Sequence, residues 1–518
     1  MKTLTQFFPN MYRDSVALMQ LSSKIAKLPG ISAASAQMAT EANIDLMAEA
    51  GLIDERPPTR PNDMLLVVHG EEDALAEALD FTEKALSEKA SGGDGTVQRV
   101  PPKAIVMALE EAKDANLALI STPGSFAASE AMKALHRGLD VMIFSDNVPA
   151  DQEIAIKQYA HKRDLLVMGP DCGTAIINGV PLAFANVVRK GGIGAIAASG
   201  TGLQEVTCLI HQAGEGVSQA IGTGGHDLSE AVGGLTALTA IGQLARDPET
   251  EVIVLISKPP AKSVADKVLA AARASGKPIV VCFLGAKLAD IEGDGIDCAL
   301  TLEEAAFRSV EVLRNGRATF RSNHGDKPEL QARAEKLASQ LKPGREFLRG
   351  LYSGGTFCYE ALLLLQDSLP GMQSNTPTGK VTRMPDLWNS TGHTVMDLGD
   401  DDFTRGRPHP MIDPSLRLER IAQEAADPGT AIILLDVVLG HGAHDDPAGQ
   451  LAPAVEKARA ASGAGGAPLF IAQICGTDAD PQNIAGQAVA LREAGIELCS
   501  SNAEAVALVR AVLEHIKG

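Results

Sequence analysis

The chain repeats itself. The stretch "ARDPETEVIVLI" (245–256) aligns without a gap to "AADPGTAIILLD" (425–436), a displacement of 180 residues that lays Asp247 on Asp427 and Thr250 on Thr430. Flanking pieces recur in the same order: "GKPIVVCFLG" (276–285) with "GAPLFIAQICG" (466–476), and "GIDCALTLEEAAFRSVEVL" (295–313) with "GIELCSSNAEAVALVRAVL" (495–513). Helix-period "ALTAIGQLARD" is likewise matched by "SLRLERIAQEAAD". Apolar runs of strand length alternate with helix-period segments in both copies, which predicts two flavodoxin-like, doubly wound parallel sheets in an α/β chain.

Around this pair the chain divides further. Residues 1–95 predict a small α+β domain, and "SEKASGGDGTVQRVPPK" (87–103) a linker. Residues 110–185 give strand, glycine turn, helix, strand, helix, strand, the βαβαβ order of a Rossmann-like unit. The duplicated units are bounded at 186–320 and 345–518, with 320–347 connecting them. The first βα turn, Thr122-Pro123-Gly124-Ser125, lacks a Gly-x-Gly-x-x-Gly fingerprint, so NAD is not expected. Hydrophobic residues at 45% with 3% aromatics suit sheets covered by helices on both faces. A net charge of −19 without a basic run argues against nucleic acid. No stretch reaches the roughly 18 apolar residues of a membrane span, so no membrane partner and a cytoplasmic setting are expected. The seven cysteines have no Cys-x-x-Cys spacing and read as reduced core thiols; Cys172 is assigned to packing.

Each copy opens on a strand that runs into a Ser-Gly turn and then a helix: Ser199-Gly200-Thr201-Gly202, and Ser353-Gly354-Gly355-Thr356. In a doubly wound sheet ligands lie beyond the carboxyl ends of the strands, where unpaired helix N-terminal amides favour a phosphate or carboxylate. Two such helices can face one anion across a pseudo-symmetric interface. The plain alternative is helix capping alone, and the duplication favours the functional reading.

A second glycine loop, "AIGTGGHDLSEAVGG" (220–234), carries Gly224, Gly225 and the pair His226-Asp227. Its counterpart, "VMDLGDDDFTRGRPHP" (395–410), carries Asp400, Asp401 and Asp402, read as a solvated loop ahead of a metal site, with Arg405 and Arg407 as candidate forks for a carboxylate or phosphate. In "LLDVVLGHGAHDDP", His441 is a candidate acid or base, and no metal is assigned. His226 ranks ahead of His441 as general base because it adjoins the glycine loop.

Together "GPDCGTAIING", "KGGIGAIAASGTGLQEV", "IGTGGHD" and "DPETEVIVLI" resemble the succinyl-CoA synthetase superfamily over about 110–518, and "MDLGDDD" to "DPGTAIILLDVVLG" resembles its β-subunit carboxy-terminal domain. The resemblance makes 110–185 a CoA-binding-type domain and the two repeats ligase-CoA-like domains. In that superfamily two opposed helix N-termini bind the phosphate of a phosphohistidine, a role that maps onto the turns at Ser199 and Ser353. Here "FLGAKLADIEGDGIDCAL" (283–300) has no histidine, and no ATP-grasp domain is present. The whole chain resembles FdrA-type proteins, labelled acyl-CoA synthetase-like, whose allantoin-pathway members look like a subunit of oxamate carbamoyltransferase. The resemblance implies exchange of oxalurate and phosphate for oxamate and carbamoyl phosphate, with phosphate as substrate and the oxyanion held by the amides of Gly224 and Gly225. It also implies partner subunits and possible CoA binding, while Asp227, Arg405 and Arg407 are candidate substrate contacts by their residue chemistry and loop positions. The alternatives are a CoA-thioester ligase component whose histidine and nucleotide domain come from another chain, and a non-catalytic scaffold.

Overall fold

The computed structural model describes residues 2–13, 15–53, 55–88, 102, 104–291, 293, 295–405, 407–462 and 466–517; the linker expected at 87–103 lies mostly outside them. The first unit alternates β1 (Lys2–Phe8), α1 (Ser15–Ala26), β2 (Ile31–Ala39), α2 (Glu41–Glu49), β3 (Arg60–Gly70) and α3 (Glu72–Glu88). Its sheet is antiparallel in the order β1-β3-β2. The apolar run "MLLVV" makes β3 the buried central strand, so its helices cover a core that includes Ile25, Met64, Leu66 and Val68.

Next come α4 (Ile105–Glu111), β4 (Leu117–Ile120), α5 (Gly124–Leu135), β5 (Asp140–Ile143), α6 (Ala150–His161) and β6 (Val167–Met168). The three strands are parallel in the order β4-β5-β6. The hairpin β7 (Thr174–Ile177) and β8 (Val180–Ala183) leaves this sheet and joins the following one through β10.

The first repeat contains β9 (Lys190–Ala197), α7 (Gly200–Gln212), β10 (Val217–Gly222), α8 (Leu235–Arg246), β11 (Val252–Ser257), α9 (Lys262–Ala274), β12 (Ile279–Phe283), α10 (Leu288–Ile291), β13 (Ile296–Cys298) and α11 (Leu302–Asn315). After α12 (Pro328–Ala338) the second repeat contains β14 (Phe347–Tyr352), α13 (Gly355–Leu365), the short β15 (Gln373–Ser374) and β16 (Thr382–Arg383), β17 (Thr394–Asp397), α14 (Asp401–Thr404), α15 (Ser415–Ala426), β18 (Thr430–Val438), α16 (Pro447–Ala461), β19 (Leu469–Cys475), α17 (Ile484–Glu493), β20 (Ile496–Cys499) and α18 (Asn502–Lys517). The parallel order β10-β9-β11-β12-β13 in one sheet is matched by β17-β14-β18-β19-β20 in the other. Both have the 2-1-3-4-5 order of doubly wound sheets. The repeated Asp-Pro turn also does the same work twice. Thr250 donates to the Asp247 carboxylate at 2.8 Å and Thr430 to the Asp427 carboxylate at 3.4 Å, closing the entry to β11 and β18.

One hydrophobic core runs through both repeats, joining Leu203, Val206 and Ile210 of α7 to Phe357, Ala361 and Leu365 of α13 and to Val506, Val509 and Val512 of α18. The repeats therefore pack helix layer on helix layer. All seven cysteines are buried thiols. No helix among the described residues is long and apolar enough to cross a membrane.

Candidate functional site at the facing helix N-termini

Helix α7 begins where β9 exits its sheet, and Ser199 caps it by accepting from the Gly202 amide at 3.0 Å. The cap of α13 is Gly354, with no side-chain cap of its own. Asp436, from the buried run of β18, serves instead. Its carboxylate accepts from the Ser353 amide at 2.8 Å, the Ser353 hydroxyl at 2.9 Å and the Gly354 amide at 2.8 Å, and it pairs with the buried Arg417 at 2.7 Å. The Ser353 and Gly354 amides are thus already occupied by an internal carboxylate. Superposing cap on cap makes Ser199 equivalent to Gly354, not to Ser353, and brings Thr201 over Thr356 and Glu205 over Glu360.

The two helix ends abut. The Ser199 and Thr356 hydroxyls hydrogen-bond to one another, and the Thr356 amide donates to the Thr201 hydroxyl at 3.3 Å. A side chain on Gly202 would lie 2.7 Å from Ser199 Oγ and 3.2 Å from Thr356 Cγ2, so this glycine serves the close approach. Gly200 meets only Thr174 Oγ1, at 3.3 Å. Both macrodipoles present their positive ends here. Lys258, at the end of β11, adds a cation across the interface: its Nζ lies 5.0 Å from the Tyr359 ring centroid of α13, and its charge acts on Asp397. Asp397 ends β17 beside Gly355, where a Cβ would stand 2.5 Å from its Oδ2. Burial, reinforced by Asp400, pushes the Asp397 carboxyl up to about 7.

The glycine loop after β10 lies over the turn at Gly169-Pro170. Gly224, at φ 84°, approaches so closely that a Cβ would fall 2.4 Å from Pro170 O. Gly225 and His226 are exposed, and His226 Nδ1 stands 3.4 Å from the buried Glu153. Desolvation, with the charge of Asp146, pushes the Asp171 carboxyl up to about 6; His226 and Asp401 act on the same group. Loops that follow strand ends of three sheets thus converge on this carboxyl. Asp227 is turned away from it. It is fully buried, accepts from the amides of Thr236 and Ala237 at the start of α8, both at 3.0 Å, and pairs with the buried Lys157 at 3.0 Å. Lys157 also pairs with Glu153 within α6 at 2.9 Å, and it ties α6 to the glycine loop by donating to Thr223 O at 3.0 Å.

His441 is exposed and its amide donates to Ala185 O at 2.9 Å, whereas His444 Nδ1 accepts from the Asp446 amide at 3.0 Å. The two residues serve separate local contacts, His441 through its backbone and His444 through its ring. Arg407 stacks over Trp388, 5.7 Å from the ring centroid, and Arg405 is exposed on the same loop. Cys172 is buried, and desolvation pushes its thiol up to about 12, which suits packing. Among the described residues no group of three or more His, Cys, Asp or Glu could hold a metal ion.

Lys258, Asp171 and His409 were not singled out from sequence. His409 follows the acidic loop, faces Phe184 at 6.2 Å between ring centroids, and is held down to about 4 by desolvation. Nothing in periodicity marks these residues. Each follows a strand or lies in a loop, and only the tertiary fold brings them together.

Three family models match: "CoA-ligase" at 351–512, "CoA binding domain" at 189–285 and "AllF, heavy metal-associated domain" at 1–101. The second falls on the first repeat, not on 110–185. The chain is 43% identical over 505 residues to the uncharacterized protein YahF of Escherichia coli K12, covering 97% of both chains. The chain belongs to the FdrA-type family of the succinyl-CoA synthetase-like superfamily. It is also 30% identical over 172 residues to the α subunit of the ADP-forming succinate–CoA ligase of Aquifex aeolicus. That match covers 32% of this chain and 55% of the relative. An acetyl-coenzyme A synthetase of Ca. Korarchaeum cryptofilum overlaps 82% of this chain and 85% of its own at 14% identity, with a TM-score of 0.29.

The heavy-metal label does not fit the donors in this family member. Residues 1–101 contain no cysteine and one histidine, His69, whose Nε2 lies 2.7 Å from the Leu52 carbonyl.

Proposed function

We propose that the chain is the phosphate-binding subunit of a carbamoyltransferase that converts oxalurate and phosphate to oxamate and carbamoyl phosphate. The observation that carries this reading is the abutment of the α7 and α13 N-termini, with Thr201, Thr356 and Lys258 around them, in a chain whose loop after β12 has no histidine to accept a phosphoryl group. Phosphate lies against the first-turn amides of Gly200, Thr201 and Gly355, where two helix ends and one lysine favour a dianion. A phosphate oxygen attacks the carbamoyl carbon, the amides of Gly224 and Gly225 stabilise the tetrahedral oxyanion, and the C–N bond to oxamate breaks. His226 takes the proton of the hydrogenphosphate and returns it to the departing nitrogen, which balances the reaction. Asp171 and Asp146 beside it accept from ureido N–H groups.

A CoA-thioester ligase component is the second reading, favoured by the CoA binding and CoA-ligase models. Partner subunits accompany either reading.

Calorimetric titration of the full chain with inorganic phosphate tests the site. Lys258→Ala and Thr201→Val should each weaken binding about tenfold, equivalent to ~1.4 kcal/mol. Unchanged affinity in both variants would remove the phosphate from this position.

A further inference from the structure

The pseudo-symmetry of the two repeats is reciprocal one turn behind the facing helix ends, and it is broken at one residue. Glu360 of α13 accepts from the Leu302 amide at the start of α11, at 2.8 Å, while Glu205 of α7 accepts from the Asn502 amide at the start of α18, at 3.3 Å. Each repeat thus sends a carboxyl to cap the last helix of the other. Leu302 and Asn502 occupy equivalent positions, one residue after the caps Thr301 and Ser501.

Where the first repeat has an apolar side chain, Asn502 makes three further contacts. Its Nδ2 donates to Glu360 Oε2 at 2.7 Å and to Phe357 O at 3.1 Å, and its Oδ1 accepts from the Tyr352 hydroxyl at 2.9 Å. Together with the amide, this one buried residue ties the end of β14, the first two turns of α13 and α7. A buried polar side chain with every group satisfied fixes a single arrangement, since any shift strands a donor or acceptor.

We propose that Asn502 is the positioning residue that sets the spacing between the α7 and α13 N-termini, so that one phosphate is held by both. The inference rests on the phosphate site proposed above. Asn502 touches no phosphate itself; it acts through Phe357, Glu360 and Glu205. The titratable groups facing it are Glu205 and Glu360, with Glu303 and Glu304 of α11, Cys475 of β19 and Tyr352 of β14 around them.

The test is phosphate calorimetry on the full chain at pH 6 and pH 8.5, each variant expressed as a ratio to wild type at the same pH so that phosphate titration cancels. Asn502→Leu copies the residue of the first repeat and should raise the phosphate Kd about tenfold at both pH values, while Trp388 fluorescence shows the second repeat folded. Asn502→Asp separates positioning from loss of packing. A carboxyl in its neutral form keeps the acceptor for Tyr352 and one of the two donations, so its ratio at pH 6 should lie below that of Asn502→Leu. At pH 8.5 the added negative charge beside two carboxyls should raise the ratio about tenfold. A ratio near one for Asn502→Leu, or a ratio for Asn502→Asp that does not change with pH, overturns the inference while leaving the phosphate site standing. Absence of phosphate binding in wild type overturns both.

Discussion

Replacing Asp436 by Asn isolates the interaction that holds the second turn. The native carboxylate accepts three hydrogen bonds from Ser353 and Gly354 and neutralises Arg417, whose Nε also donates to Leu351 O at 2.9 Å. All of these groups are buried. An amide at this position must set one NH2 against a backbone or guanidinium donor, and Arg417 keeps a buried charge without a counterion. Breaking one side of a buried pair costs about 3–5 kcal/mol, whereas replacing both partners by apolar groups is often near neutral. Asp436→Asn should therefore destabilise by about 3–5 kcal/mol. Asp436→Asn with Arg417→Met should lose less than the single change, with a coupling energy of about 2 kcal/mol or more. The chain has one tryptophan, Trp388, packed edge-on against Phe403 in the second repeat at 5.7 Å. Its fluorescence in urea follows the unit that contains the turn. A single variant within about 1 kcal/mol of wild type, or a double variant equal to the sum of the singles, would refute the reasoning.

Three further outcomes follow from the same geometry. Burial, with the charge of Glu360, pushes the Glu205 carboxyl up to about 8, against 4.5 for an exposed glutamate. Its contribution to stability is complete below the unfolded value and lost as pH rises toward 8, so Glu205→Gln should flatten the decline in unfolding midpoint between pH 5 and pH 8; an unchanged slope would contradict this. Both polar atoms of the Gln473 side chain are buried without a hydrogen-bond partner. Gln473→Leu should accordingly stabilise the second repeat by about 1–3 kcal/mol in the same urea assay, and destabilisation would show that the amide is satisfied. A Cβ at Gly355 would stand 2.5 Å from Asp397 Oδ2, so Gly355→Ala should weaken phosphate binding well beyond Gly200→Ala, whose Cβ has 3.3 Å of clearance. Equal effects by calorimetry would place the anion elsewhere.

The duplication was legible because local chemistry repeats: the Asp-Pro-x-Thr turn closes the entry to β11 and β18 alike, and each strand then carries an apolar run, Val252–Ile256 and Ala431–Leu435. The two parallel sheets follow from that pattern. The register of the second turn was not legible. Ser353 looks like Ser199 in sequence, but it is held by Asp436, which arrives 83 residues later, and so the cap moves to Gly354. Asp227, adjacent to His226, looks like a partner for a substrate. Only the fold shows that Lys157, which sits in an unremarkable helix, and the start of α8 use its carboxylate. Lys258 likewise matters through its approach to the Tyr359 ring and its charge on Asp397, interactions that join the two repeats and leave no trace in either one alone.

The most direct test of the account is carbamoyl phosphate formation from oxalurate and inorganic phosphate by the chain co-purified with its partner subunits, without ATP or CoA. Turnover that saturates with phosphate and falls in Lys258→Ala is the predicted result. No carbamoyl phosphate, together with CoA-thioester formation that requires ATP, would contradict it.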